Sequence, residues 1–539
     1  MHDDAATQLR RTIEGLVGVP ATDGNQIDVL RNGVEVFPAM LEAIDRAQRT
    51  IDFLTFVYWK GRIGTTFAEH LSARARAGVR VRVLLDAFGC QPLDRALVTM
   101  MNEAGVHIRW FRPFHRLKPS SYNHRTHRKV CIVDEGTGFT GGIGIADEWD
   151  GDARDETEWR DTHFRIRGPV VDGLRAAFLD NWVETDPELY DPEYDHFPLQ
   201  PSPGSTTAMC VRGASETGWS DIATLFRALL QTAEKSIRIT TAYFVPEPGL
   251  MSQLCDAGDR GIDVQVLLPG PHADKRFVRL AGQSSYAELL AHGVTIWCFQ
   301  PTMLHAKVMT IDGVAACIGS ANFNSRSSSL DEEITVVAFD PDLVKVLDGQ
   351  FDEDLKRSVH LDETRWENRP LHHRVAEALM VAVGREGWAD RDGAEPEDWL
   401  CSVGEGGRAA VIRDAVTWVT ACRTLLRWPP RDVRARGEGT SYATVRKDVL
   451  SLSTRIDLGS WKQPGVIEPG APTDHTSAGL GYVALVRAMD AGVLPESVTA
   501  VHLASGDRTR VVATDDVLDE ALALCAFAIE RWAETAAPS

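Results

Sequence analysis

Apolar positions in this chain fall into two periods that alternate, and the alternation itself recurs. RTIDFLTFVYWKG (49–61) is a β-rich apolar run, TFAEHLSARARAG then spaces its apolar residues three and four apart, and VRVRVLLD (79–86) returns to a strand pattern. Such runs predict strands and amphipathic helices respectively. A second helical stretch ends in AGVHIRW (104–110). The same order returns later, with the strand KSIRITTAYFVPE (235–247), a helix and strand in MSQLCDAGDRGIDVQVLLPG (251–270), and YAELLAHGVTIWCF (286–299). In each unit a glycine that ends a helix is followed by a β-branched residue that opens a strand.

The alternation predicts an α/β fold with helices over both faces of a sheet, and its recurrence predicts two tandem α-β-α repeats. The first spans 25–184 and the second 206–385, separated by a Pro- and Asp-rich linker, TDPELYDPEYDHFPLQPSPGS (185–205). A mixed α/β C-terminal region (386–539) opens on the hinge-like EGWADRDGAEPEDWL. In it AVIRDAVTWVTACRTLL (410–426) and DDVLDEALALCAFAIERWAE (515–534) have helical spacing, while VTAVHLA and TRVVAT read as short strands. It holds no motif of known mechanism.

Composition narrows the classes. The 539 residues are 44% hydrophobic and 25% charged, ordinary for a soluble globular chain. The net charge of −20 repels nucleic acid and anionic membrane at long range, so an anionic substrate needs a local basic site. Nine scattered cysteines without C-x-x-C spacing read as free thiols of a reducing cytoplasm. No apolar stretch has signal-peptide character or the roughly 18 residues of a membrane span. A lipid substrate would therefore be reached from the water side, by a cytoplasmic protein held peripherally at the membrane.

Chemistry concentrates in two segments, NHRTHRKVCIVDEGTGFTGGIGIADEW (123–149) and MLHAKVMTIDGVAACIGSANFNSRSSSLDEE (303–333). Each contains His-x-Lys-(x)4-Asp: His127, Lys129 and Asp134 in the first, His305, Lys307 and Asp312 in the second. Period-two alternation puts each His and Lys on one face of a strand. An ammonium beside an imidazole suits a phosphate better than a core. Small residues follow, Thr140-Gly141-Gly142 and Gly319-Ser320-x-Asn322, which allow close approach to an anion, with the Asn322 amide as donor. Asp134 and Asp312 end their strands and read as bonding turn backbone.

The doubled motif resembles that of the phospholipase D superfamily, and within it the bacterial cardiolipin synthases. TTAYFVP (240–246), the Pro-Gly-x-x-x-Asp-Lys stretch at 269–275, IGSANFNSRS and EWRDTHFRIRGPVV (158–171) extend the resemblance over about residues 25–385. It implies two repeats about a pseudo-two-fold axis and one shared site. There one His forms a phosphohistidine and the other serves as general acid and base, with His127 as the nucleophile by analogy. It further implies that Lys129, Lys307, Asn322 and Ser320 hold phosphate oxygens, that Asp161 and Glu333 orient the histidines, and that no metal or cofactor is needed because the lysines supply the positive charge. The implied partner is an anionic phospholipid such as phosphatidylglycerol at a membrane surface. A phosphodiesterase or nuclease of the same superfamily, or a retired scaffold, is the alternative; intact motifs count against retirement and the acidic balance against nucleic acid. Synthases of this type commonly carry N-terminal membrane helices, which this sequence does not display. It also departs in having Gly144 where the family has Asn, so one phosphate donor is missing. Finally, the segment before the first motif gathers Arg112, Arg116, Lys118 and Arg125 among aromatics, an expected approach for an anionic headgroup, although a nucleic-acid groove would look similar.

Overall fold

A computed structural model of the chain describes residues 2–113, 124–185, 197–213, 221–274, 282–283 and 285–362, and beyond these only six strands. It divides into two compact units, Met1–Glu367 and Asn368–Ser539. In the first, the strands are β1 (Thr22–Arg31), β2 (Thr50–Thr55), β3 (Arg80–Asp86), β4 (His107–Phe111), β5 (Val130–Val133), β6 (Thr137–Gly141), β7 (Thr162–Arg167) and β8 (Thr206–Arg212). They continue with β9 (Ser236–Thr240), β10 (Phe244–Val245), β11 (Asp263–Pro269), β12 (Thr295–Phe299), β13 (Val308–Ile311), β14 (Ala315–Gly319), β15 (Phe323–Asn324), β16 (Ile334–Phe339) and β17 (Ser358–Leu361).

Fifteen of these form one sheet in the order β17-β12-β11-β9-β13-β14-β16-β8-β1-β7-β6-β5-β2-β3-β4. Read outward from the antiparallel β8–β1 pair, the two arms repeat each other, with only β17 lacking a counterpart. In each arm three strands run parallel (β2-β3-β4 and β9-β11-β12) and the rest pair antiparallel. The expected pair of repeats is present, fused edge to edge into a single sheet.

Helices α1 (His2–Val17), α2 (Asn32–Arg46), α3 (Arg62–Arg76), α4 (Arg95–Glu103), α5 (Val171–Thr185), α6 (Asp221–Thr232), α7 (Pro248–Asp259), α8 (Tyr286–Ala291), α9 (Ser325–Ser329) and α10 (Pro341–Leu355) surround it. Cys131, Val133 and Phe139 meet α2 and α3 through Phe37, Phe67 and Leu71, making the first arm's core. Met309, Ile311 and Cys317 meet α6 and α7 in the second. Strand alternation sends Val130, Ile132, Ala316 and Ile318 to the other face, under Phe178 of α5 and Val344 of α10. Each such buried side chain contributes roughly 1.5–3 kcal/mol relative to exposure. Helix α1 lies before the expected start of the first repeat, yet Leu9 and Ile13 enter the second arm's core.

The second unit contains a six-stranded sheet, β18 (Val433–Ala435), β19 (Thr440–Lys447), β20 (Leu450–Asp457), β21 (Gly465–Glu468), β22 (Ser497–His502) and β23 (Arg508–Val512), in consecutive order. The last two are the short strands expected there. The two helical segments expected in this region lie outside the described residues, as does most of the linker, residues 186–196.

Candidate active site

His127 and Lys129 lead into β5, and His305 and Lys307 lead into β13. They share the strand face that continues as Cys131 and Val133 in one arm and Met309 and Ile311 in the other. All four are buried, at 3–8% exposure. Two parallel bridges, Thr126 with Glu332 and Arg160 with Leu304, bring the motifs to one another. The backbone N–H of His127 donates to Glu332 O (2.9 Å) and that of His305 to Arg160 O (2.7 Å).

The bridges cross the carboxylates over. His127 Nδ1 lies 2.8 Å from Glu333 Oε1, and His305 Nδ1 lies 2.8 Å from Asp161 Oδ2. Each histidine is thus held by an acid from the other repeat, with Nε2 left as the ring's second nitrogen. Glu333 also accepts from the hydroxyls of Ser320 and Ser327. Asp161 accepts from the Trp149 indole (2.8 Å) and the Thr162 backbone N–H (2.8 Å). Buried carboxylates so satisfied are kept ionised and fixed in direction.

Lys129 Nζ donates to His127 O (2.8 Å), and Lys307 Nζ donates to His305 O while lying 3.1 Å from both nitrogens of that ring. Burial pulls Lys129 down to about 8 and Lys307 to about 7, against the attraction of the site's carboxylates. Burial, then the charge of Lys307, holds His305 down at about 3, and burial also lowers His127. Burial opposes the charge of Glu333, but His127, Lys129 and the Ser320 hydroxyl outweigh it and bring the acid to about 2. Two lysines and two imidazoles therefore converge beside two fixed carboxylates, a cluster able to donate to and accept from an anionic ligand.

The motif aspartates stand elsewhere. Asp134 accepts from the backbone N–H groups of Gln48, Arg49 and Thr50, and Asp312 from those of Glu234, Lys235 and Ser236. They cap the turns entering β2 and β9 and take no part in the His–Lys cluster. Ser320, expected on the phosphate, is instead committed to Glu333 through its hydroxyl and accepts from Ile334 N–H (3.1 Å). Asn322 is buried, and its side-chain oxygen, an acceptor, has no hydrogen-bond partner among the described residues.

The basic approach is also corrected in part. Arg125 turns inward onto Asp86 (3.0 Å) and the carbonyls of Phe111 and Arg112. Arg112 is engaged by Glu184 and Glu332. Arg125 is buried and Arg112 half-buried, and both guanidiniums are matched by protein carboxylates, so neither is the approach residue expected. Arg116 and Lys118 lie outside the described residues.

Several neighbours escaped the sequence reading. Phe56 packs edge-on to His127 (5.2 Å), while Trp149 (5.3 Å), Trp159 (5.6 Å) and Tyr243 (6.3 Å) surround His305. A signal was present: Trp149 lies five residues after Gly144, as Ser327 lies five after Asn322. Superposing the repeats would have paired the two donors. Among the described residues no group of three or more His, Cys, Asp or Glu is arranged to hold a metal ion.

A two-armed sheet whose halves exchange carboxylates across paired His-x-Lys strands defines the phospholipase D class of protein. The family model described as cardiolipin synthase, PLD-like domain, matches residues 40–153 and 226–355. A cardiolipin synthase of Geobacillus kaustophilus is 34% identical over 363 residues, 67% of this chain and 72% of that one. Cardiolipin synthase 2 of Bacillus anthracis is 35% identical over 65% of this chain and 68% of that one. The chain belongs to this cardiolipin synthase-like family of the phospholipase D superfamily. The solved phosphatidylserine synthase of Haemophilus influenzae shares the fold, with a TM-score of 0.57 over 70% of this chain and 98% of that one at 14% identity.

Proposed function

We propose that the chain is a phosphatidyltransferase that joins two phosphatidylglycerol molecules into cardiolipin and glycerol, at a membrane surface reached from the water side. The observation that carries this reading is the crossed pair of carboxylate-held histidines with a lysine beside each, together with the cardiolipin synthase activity for which the relatives are named. His127 Nε2 attacks phosphorus while the P–O bond to the departing glycerol breaks. Protonated His305 gives that oxygen its proton, leaving a phosphohistidine. The neutral His305 then takes the proton of the second phosphatidylglycerol's hydroxyl, whose oxygen attacks phosphorus as the P–N bond breaks, and His127 is restored. Burial favours a neutral, nucleophilic His127, and the negative charge of a phosphodiester favours the protonated His305 required for departure. Lys129, Lys307 and Asn322 offset charge on the non-bridging oxygens. Among the described residues no helix is long and apolar enough to cross a membrane.

Incubation with phosphatidylglycerol vesicles and, separately, single-stranded DNA tests the reading. Cardiolipin with equimolar glycerol is expected. Phosphatidic acid alone would make the enzyme a hydrolase, and cleaved DNA without lipid turnover would make it a nuclease.

A further inference from the structure

The two half-sites superpose by position but not by content. Gly141, Gly142 and Gly144 correspond to Gly319, Ser320 and Asn322, and Trp149 corresponds to Ser327. Around Glu333, which holds His127, the donors are two small hydroxyls. Around Asp161, which holds His305, a fully buried indole takes the place of one hydroxyl. A glycine takes the place of the other.

Neither glycine is incidental. A Cβ on Gly142 would stand 2.1 Å from Asp161 Oδ1, so Asp161 fills the space that the Ser320 side chain uses in the other half. A Cβ on Gly144 would stand 2.7 Å from Val57 Cβ and 3.3 Å from the far edge of the Trp149 ring. The missing asparagine is therefore excluded chiefly by Val57, with the indole edge next to it. Trp149 packs against both His305 and Trp159, the latter with its ring centroid 4.5 Å away and itself against His305. One rigid side chain thus donates to the acid through its N–H and packs edge-on against the histidine that the acid holds.

We infer that Trp149 is a positioning residue for the Asp161–His305 pair, and that by replacing the Asn-and-Ser arrangement of the other half it sets the two histidines to unequal tasks. This rests on the transferase reading only for the identity of the substrate. The indole N–H shares the charge of Asp161, and so limits how strongly that carboxylate draws a proton onto His305. The charged and titratable groups facing the pair are Lys307 on the same strand as His305, Tyr243 edge-on to the His305 ring with its hydroxyl on Asp274, Lys129 from the other arm, and His163 beyond Asp161; Glu333 and Asp274 act through Lys307. None of these donates to Asp161 from the direction of the indole.

The test compares the full chain with Trp149→Phe, which keeps a ring but removes the N–H. Rates are measured across pH on phosphatidylglycerol vesicles and on the soluble diester bis(4-nitrophenyl) phosphate. Without the indole donor Asp161 is the stronger base toward His305. The limb belonging to His305 is expected to move to higher pH by about half a unit or more. A fall in kcat of about tenfold to a hundredfold, with KM nearly unchanged, should accompany it. Uniform replacement of tryptophan by 5-fluorotryptophan keeps the ring and makes its N–H the stronger donor to Asp161, so the same limb should move to lower pH; it carries the test if Trp149→Phe does not fold. A wild-type limb in the folded variant, whether kcat is retained or lost, would reduce Trp149 to packing and overturn the inference. If the unaltered chain cleaves the aryl diester but leaves phosphatidylglycerol intact, the transferase reading fails while the inference is still decided by the limb.

Discussion

The residues with chemistry are few, and their environments separate their roles. Replacing His127 or His305 with Ala should abolish turnover on phosphatidylglycerol vesicles, whereas wild-type rates in either variant would remove the mechanism. Glu333→Gln and Asp161→Asn keep shape but lose the charge that fixes each ring, and kcat should fall by about 10²–10⁴. The lysines set a pH limit of their own. With Lys129 brought down to about 8 and Lys307 to about 7 by burial, the free enzyme loses positive charge as pH rises through that range. A bound phosphodiester favours the charged forms, so kcat/KM should decline above pH ~7. A profile of initial rates flat from pH 7 to 9 would contradict this. On the acid side the proposed mechanism needs a neutral His127, and burial, which lowers its pKa, extends that form below the usual imidazole range. His127 and Lys129 were legible in the sequence because a period-two pair needs no tertiary context. Trp149 was not, since an indole five residues past a glycine acquires meaning only against Asp161.

At the scale of elements, strand ends carry the site and turns fix the strand ends. Asp134 and Asp312 each hold three backbone N–H groups of the turn opening the neighbouring antiparallel strand, β2 or β9. Their conformations are left-handed, with φ of 48° and 54°, which an Asp tolerates better than a bulky residue does. Asp134→Ala or Asp312→Ala should cost about 1–3 kcal/mol of stability, read as a lower midpoint in thermal or urea unfolding. Activity per folded molecule should survive below that midpoint. The reading of these acids as turn-binding came from their place at strand ends. Arg112 and Arg125 misled for the converse reason: a basic cluster looks solvent-facing until its carboxylate partners, Asp86, Glu184 and Glu332, are brought in from distant segments.

For the whole molecule, the crossed acids make the repeats interdependent. Separately expressed halves, broken in the 185–205 linker, should each be inactive, and mixing should restore turnover only where the β1–β8 seam re-forms. A chain ending at Glu367 keeps every site residue within its compact unit and should retain vesicle activity, as a product assay would establish. The amino-acid sequence by itself determined the class of fold, the doubling and the paired His-x-Lys motifs, because strand and helix periods and the His-x-Lys spacing are local properties of the chain. Which acid serves which histidine, why Gly144 replaces an asparagine and where the basic residues point were decided by tertiary structure alone. Those outcomes depend on a two-fold packing that brings Glu333 to His127, 206 residues away, and Asp161 to His305, 144 residues away, distances over which no local pattern carries information.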